Sequence, residues 1–388
     1  MSIVPLEALP VESLRRRSST KWRTYGSDVL PLFVAETDFP LAPLITSALR
    51  TAVELGDTGY TPPDPGVRDA FASFAARRFD WVVDADRVRT TGDVMMGVVE
   101  ILRAVTAPGD AVVITPPVYP PFTMTVEEAG CRVAPVPLRD TGATWALDLD
   151  GIDAALADGA RAVLLCNPHN PTGTVHSRET LAALARIAAR HGAMVISDEI
   201  HAPLVYDDAT FTPFLASSAE AAAVGYTVTS PSKAFNLAGL KCAVMVTGDE
   251  RTAAVVRGLP SEVEWRTGLF GAIASVAALD AASDEWLDAL RARLDLNRHL
   301  LADLLAAHLP RARYRLPDAG YLAWVDLSAY GWGDDPAGRI LAEARVAVHH
   351  GPHFGAQGTG HVRVNFGCGP EVLTEAIARI GRLVGSPV

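Results

Sequence analysis

Three polar residues follow three apolar runs in this chain: Asn170 after Arg161–Cys166, Asp198 after Ala193–Ser197, and Lys233 after Tyr226–Thr229. Such runs read as buried strands of a parallel sheet, and parallel sheets bind ligands outside the carboxyl ends of their strands. Taken singly, each residue has a plainer explanation. Asn170 suits a turn in NPTG, Asp198 a helix cap, and Lys233 a solvated loop. Together at one sheet edge they supply an amide, a carboxylate and an amine. The amine carries extra weight because only three of the 34 basic residues are lysines: Lys21, Lys233 and Lys241. A compositional bias toward arginine explains the scarcity. A retained lysine can still do what arginine cannot, because arginine does not deprotonate and so cannot serve as an amine nucleophile.

The chemistry these types permit is specific. A lysine amine forms a Schiff base with an aldehyde. A carboxylate beside a pyridine nitrogen keeps that nitrogen protonated and makes the ring an electron sink. An amide such as Asn170 can hydrogen-bond a phenolate oxygen. Hydroxyls at Ser230 and Ser232, with the cation of Lys241, suit a phosphate. The set points to pyridoxal phosphate (PLP).

The elements that must position these groups are legible in outline. Ala111–Thr115 and Ala243–Thr247 complete a set of buried strands separated by helices, among them Ser177–His191 with Gly192 as its C-cap. The expected class is α/β, a large domain with a mostly parallel sheet covered by helices over residues 45–280. Beyond it, Glu285–Leu309 reads as a long amphipathic helix, Tyr321–Leu327 and His361–Phe366 as strands, and Val372–Leu383 as a final helix. These predict a smaller α+β domain made of residues 281–388 joined by 1–44.

Composition excludes several classes. The 388 residues are 49% hydrophobic and 20% charged, a globular balance, and the net charge of −11 leaves no basic footprint for nucleic acid. Cys131, Cys166, Cys242 and Cys368 are too dispersed for a disulfide framework or a zinc site, and fit reduced thiols in a cytoplasmic protein. The opening segment carries Glu7, and its basic run Arg15–Arg17 follows the apolar stretch, the wrong order for a signal peptide. The longest uncharged apolar stretch, Gly268–Leu279, is too short to span a bilayer. Nucleotide loops, HExxH and GxSxG are absent. Asp148–Gly151 hints at a calcium loop but reads as a helix cap. His349, His350 and His353 read as a pocket-lining loop, and no metal is expected.

Four runs, CNPHNPTG (Cys166–Gly173), SDEIH (Ser197–His201), SPSKAFNLAGLK (Ser230–Lys241) and HVRVNFGC (His361–Cys368), resemble fold-type I PLP enzymes of the aspartate aminotransferase superfamily. Within it, the chain resembles the cystathionine β-lyase-like branch. That likeness rests on Lys21-Trp22, FVAETDFPLAP (Phe33–Pro43), GYTPP (Gly59–Pro63), PPVYPPF (Pro116–Phe122), the histidine at position 201 and YLAWVDL (Tyr321–Leu327).

The resemblance implies a role for each matching residue. Lys233 would anchor PLP and shuttle protons, Asp198 would pair with the pyridine nitrogen, and Asn170 would bond the ring 3-oxygen. His201 would stand where many relatives place a tyrosine, and Tyr119 would stack on the ring. Ser230, Ser232, Lys241 and the backbone amides of Val94 and Met95 would hold the phosphate. Arg363 would clamp the substrate carboxylate, with Ala35, Tyr321 and His350 on the substrate side. Tyr60 would reach the partner subunit's phosphate, which implies a homodimer with shared sites.

Three places depart from the branch. Asp93 replaces a glycine beside the phosphate; a carboxylate aimed there would repel it, so Asp93 is expected to point away or to cap the helix. Glu36-Thr37 replaces Asp-Met, and His349-His350 replaces a pair ending in proline. The expected activity is a PLP-dependent carbon–sulfur β-lyase cleaving cystathionine-like or other cysteine S-conjugates. The alternatives are an aminotransferase, a natural-product tailoring enzyme acting on cysteine S-conjugates, and, remotely, a PLP-binding regulator.

Overall fold

The computed structural model describes residues 3–384, so the ends of the segments expected at 1–44 and 281–388 lie outside the described residues. Seven strands form the main sheet: β1 Val88–Thr91, β2 Ala111–Ile114, β3 Arg132–Pro135, β4 Ala162–Cys166, β5 Met194–Asp198, β6 Gly225–Thr229 and β7 Ala243–Thr247. Their spatial order is β1-β7-β6-β5-β4-β2-β3. The ladders from β6 through β5, β4 and β2 to β3 are parallel, and β7 runs against both of its neighbours.

β4, β6 and β7 are buried at every position, which is why they read as unbroken apolar runs rather than alternating ones. Each fully buried Val or Leu in them contributes about 1.5–3 kcal/mol of transfer free energy. The intervening helices carry their own stop and start signals. Ser177 caps Arg178–His191 through the Thr180 amide, and Gly192 closes it at φ 63°. Asp93 caps Val94–Val105 through the Met96 amide. That helix lies close on the sheet because Gly97 has no side chain; a Cβ there would come within 3.0 Å of Val228.

A second sheet of four strands, β8 Arg313–Tyr314, β9 Leu322–Asp326, β10 His349–His350 and β11 His361–Asn365, has the order β8-β9-β11-β10 and is antiparallel throughout. The long helix Asp284–His308 fixes the exit of β11, since Asn297 Nδ2 donates to the carbonyls of Phe366 and Cys368, both at 2.8 Å. The N-terminal segment joins this unit: Leu30–Pro31 pairs in parallel with Val346–Ala347, and Asn365 Nδ2 holds the Val34 and Glu36 carbonyls.

The expected strands agree with the observed ones to within one residue at each end, and Ala243–Thr247 agrees at both. Residue 45 lies inside the helix Pro43–Leu55, and Asp280 caps the short turn before the long helix. Asp148 holds the N-cap position of Leu149–Ala157, without a side-chain cap bond. All four cysteines are free and buried.

Candidate active site

The carboxyl ends of β1, β4, β5 and β6 and the amino end of β7 share one edge, because β7 alone is reversed. That direction brings residues from five connections together: Gly92–Met95 after β1, Asn170 after β4, Asp198 at the end of β5, Ser230–Lys233 after β6, and Lys241 just before β7. They line one cavity of about 290 Å³, with Ala35, Tyr119, Cys166, Ile200 and His201. A larger groove of about 510 Å³ lies elsewhere, but its arginines Arg291 and Arg298 are bound to Asp207, Asp288, Asp208 and Asp295.

Asp198 is buried, and its Oδ1 accepts the Ile200 amide at 3.1 Å. Among the described residues no cation forms an ion pair with it. Burial therefore pushes its carboxyl up to about 7, with the Ile200 amide and Lys233 pulling the other way. A buried carboxylate without a cation is costly, and a ring N–H⁺ would supply one.

Lys233 Nζ makes one weak contact, to the Ala35 carbonyl at 3.3 Å. Burial and the charge of Arg363 lower it to about 8, against the opposing pull of Glu36 and Asp198. About a tenth is then free amine at pH 7, and more above it, the form that attacks an aldehyde. His201 is held neutral, at about 3, by burial and by Lys233 and Arg363, and its Nδ1 is buried without a partner. Tyr119 packs edge-on against Phe122, and burial raises its phenol.

At the phosphate end, Ser230 Oγ donates to the Cys242 carbonyl at 2.7 Å and accepts the Ser232 amide at 3.1 Å. Lys241 Nζ lies 2.9 Å from Asp93 Oδ2. Asp93 caps the helix as expected but does not point away: it lines the cavity. Its pairing with Lys241 is the physical reason.

Arg363 stands behind the cavity wall. Nη1 donates to Asn170 Oδ1 at 3.0 Å, and Nη2 donates to the Phe33 carbonyl at 2.9 Å and to His349 Nδ1 at 3.2 Å. Its Nε is buried without a partner. Burial lowers its ordinary value to about 10, which leaves the guanidinium charged at neutral pH.

Other expected residues fall farther out. Tyr321 is fully buried, with its hydroxyl donated to the Ala35 carbonyl at 3.1 Å, so it backs the cavity wall rather than lining it. Tyr60 is wholly exposed in the single chain. His350, expected on the substrate side, instead bonds Asp335 and stacks on His353 at 5.0 Å. It is His349 that meets Arg363. The reason is the strand: neighbours along β10 point to opposite faces, and His349 is the one in register with Arg363. Among the described residues no cluster of His, Cys, Asp or Glu could hold a metal.

Sequence reasoning missed the role of Lys21. It is 1% exposed and pairs with Asp38 at 2.9 Å, while Trp22 Nε1 donates to the other oxygen at 3.2 Å. This buried pair supports the loop that presents the Phe33 and Ala35 carbonyls to Arg363 and Lys233. The Lys21-Trp22 signal was in the sequence, but nothing local in it points to Asp38.

A family model, aminotransferase class I and II, matches residues 30–380. The chain is 44% identical to a Mycobacterium leprae protein provisionally named a cystathionine beta-lyase, with 98% of each covered. It is 35% identical to the cystathionine beta-lyase PatB of Bacillus subtilis, over 93% of this chain and 95% of that one. Among solved structures, a provisionally assigned PLP-dependent beta-cystathionase from Corynebacterium diphtheriae superposes with a TM-score of 0.94 at 34% identity, covering 99% of this chain and 100% of that one. The chain belongs to the class I and II aminotransferase family and has its PLP-dependent fold. Its cofactor is PLP, and the residues present fit it: an unpaired buried carboxylate, a free amine, two orphaned ring and guanidinium nitrogens, and a cation with serine hydroxyls.

Proposed function

We propose that this protein is a carbon–sulfur β-lyase that cleaves cystathionine-like or other cysteine S-conjugates, with one water, to a thiol, pyruvate and ammonia. The observation that carries this reading is the convergence of Lys233, Asp198 and Asn170 on one cavity, with Arg363 bonded to Asn170 from behind its wall. The relatives named above, which cover nearly the whole chain, support it.

PLP, when bound, supplies an electron sink for the bond broken at the substrate Cα. Lys233 would hold the cofactor, and its Nζ would take the Cα proton; burial lowers its pKa to about 8, so part of the amine is unprotonated and able to act as the base. Asp198 would hold the proton on the pyridine nitrogen. Asn170 would serve the ring 3-oxygen, Tyr119 the ring face, and His201 a buried edge of the pocket. Ser230, Ser232, Lys241 and the amides of Val94 and Met95 would hold the phosphate. Arg363 turns its guanidinium to the α-carboxylate, and Ala35 and Tyr321 bound the substrate side. A thiolate leaves readily because its conjugate thiol has a pKa of about 8.5, so little acid assistance is required.

The division into a PLP-binding domain at 45–280 and a small domain from 1–44 and 281–388 is supported by the two sheets lying within 88–247 and 313–365. A cytoplasmic homodimer is part of the same reading. Its support is four free buried thiols and the exposed stretch that carries Leu41, Leu44, Val53, Leu55 and Tyr60. No helix of the described residues is long and apolar enough to cross a membrane.

Product analysis tests the activity. Pyruvate released from cystathionine or a bulky cysteine S-conjugate, with no keto acid added, is the expected result. Turnover only when a keto acid is supplied would make the protein an aminotransferase instead.

A further inference from the structure

Asp93 occupies the phosphate end of the cavity with both carboxylate oxygens engaged. Oδ1 accepts the Met96 amide at 2.9 Å, and Oδ2 accepts from Lys241 Nζ at 2.9 Å. Both partners belong to the apparatus that would grip a phosphate: the first turn of the helix Val94–Val105 and the cation beside it. The chain's own anion thus sits where the fold has prepared a place for a ligand's anion.

The arrangement is held from both sides. Lys241 has a left-handed backbone, φ 61°, and its carbonyl accepts the Gly268 amide at 2.9 Å. The next carbonyl, of Cys242, takes the Ser230 hydroxyl, so the segment that carries the lysine is tied to the one that carries the serines. Burial works against the Asp93 charge, but the Lys241 and Met96 bonds outweigh it and hold the carboxyl below its ordinary value. Asp93 is therefore ionised wherever the protein works. The Asp93 and Lys241 side chains are 44% and 58% exposed, so the pair is open to water and to exchange.

We propose that Asp93 is a built-in competitor of the cofactor's phosphate: it holds Lys241 and the helix terminus until the phosphate arrives, and weakens the retention of PLP afterwards. The proposal rests on the reading of this cavity as the PLP site. A phosphate of about two negative charges must share one ammonium with a carboxylate, and like charges at short range oppose each other. Glycine at this position would leave Lys241 and the amides to the phosphate alone.

Asp93→Asn separates charge from capping, because asparagine caps a helix as well as aspartate does. The experiment is equilibrium binding of PLP to the cofactor-free protein, followed by absorbance, with pyridoxal as the probe that lacks a phosphate. Asp93→Asn should bind PLP at least about threefold more tightly, the scale of one partly exposed charge pair, and bind pyridoxal unchanged. The gain should shrink at high salt and in a Lys241→Met background. Equal or weaker PLP binding in Asp93→Asn would overturn the proposal, as would an equal gain for pyridoxal. Wild-type protein that takes up no PLP would overturn the site reading and this inference together, whereas uptake with unchanged affinity overturns this inference alone.

Discussion

Arg363 Nη1 and Asn170 Oδ1 lie 3.0 Å apart, a bond that ties the middle of β11 in the small sheet to the loop after β4 in the large one. The residue placed to hold the substrate is thereby registered against a residue placed to hold the cofactor. A substrate carboxylate that draws Arg363 forward engages both units at once.

Arg363→Lys tests that placement. Lysine has no planar fork, so it can replace only one of the guanidinium's directed bonds. The KM for amino-acid substrates should rise by roughly tenfold or more, the cost of a lost charge-assisted hydrogen bond. The factor should be the same for every S-substituent, since all share the α-carboxylate. A changed ranking among substituents with an unchanged KM would show that the carboxylate binds elsewhere.

Lys233 has an amine lowered to about 8 by burial. Below that pH it is an ammonium and cannot attack; above it the amine is free. The rate of PLP uptake by cofactor-free protein should therefore climb from about pH 7 through pH 8 and level off near pH 9, as read by the growth of the visible absorption band. Lys233→Ala should lose both the band and turnover, and a flat pH profile would contradict the stated environment of the amine.

Asp198 gives opposite signs for stability and activity. Its folded value of about 7 lies above the ordinary 3.8, so in cofactor-free protein the folded state favours the protonated form. Stability from this group is present below pH 3.8 and is lost as pH rises through 7. Asp198→Asn removes the penalty, so at pH 8 the cofactor-free variant should be more stable than wild type, with a ceiling of about 4 kcal/mol from a three-unit shift. Its turnover should nonetheless collapse, because an amide cannot hold the pyridinium proton. Denaturant titration of both cofactor-free proteins checks the sign.

Lys21→Met leaves Asp38 buried without its cation, 1% exposed. Breaking one side of such a pair costs about 3–5 kcal/mol. Thermal unfolding should show that loss, and adding Asp38→Asn should recover much of it. If Lys21→Met alone were neutral, the loop from Phe33 to Phe39 would not depend on this pair.

Tyr60 is fully exposed in the single chain, and its proposed place is the partner's phosphate. Mixing Tyr60→Phe with Lys233→Ala protein tests the shared site. In mixed dimers one site collects both defects and the other none, so activity should exceed that of either parent. No gain after demonstrated subunit exchange would rule out sharing.

The sequence by itself determined the buried strands, because a strand covered on both faces must be apolar at every position, as β4, β6 and β7 are. It also determined which polar residues end or follow the buried strands, and so Asn170, Asp198 and Lys233 could be named from spacing and residue type. What only the tertiary structure decided depends on partners far apart in the chain. Lys21 meets Asp38 across a folded loop, Arg363 meets Asn170 across 193 positions, and Asp93 meets Lys241 across 148, because β7 runs backwards and returns its amino end to the site. His349 rather than His350 faces Arg363 because a strand's register, which turns every second side chain to the same face, is fixed by its neighbours and not by its own sequence.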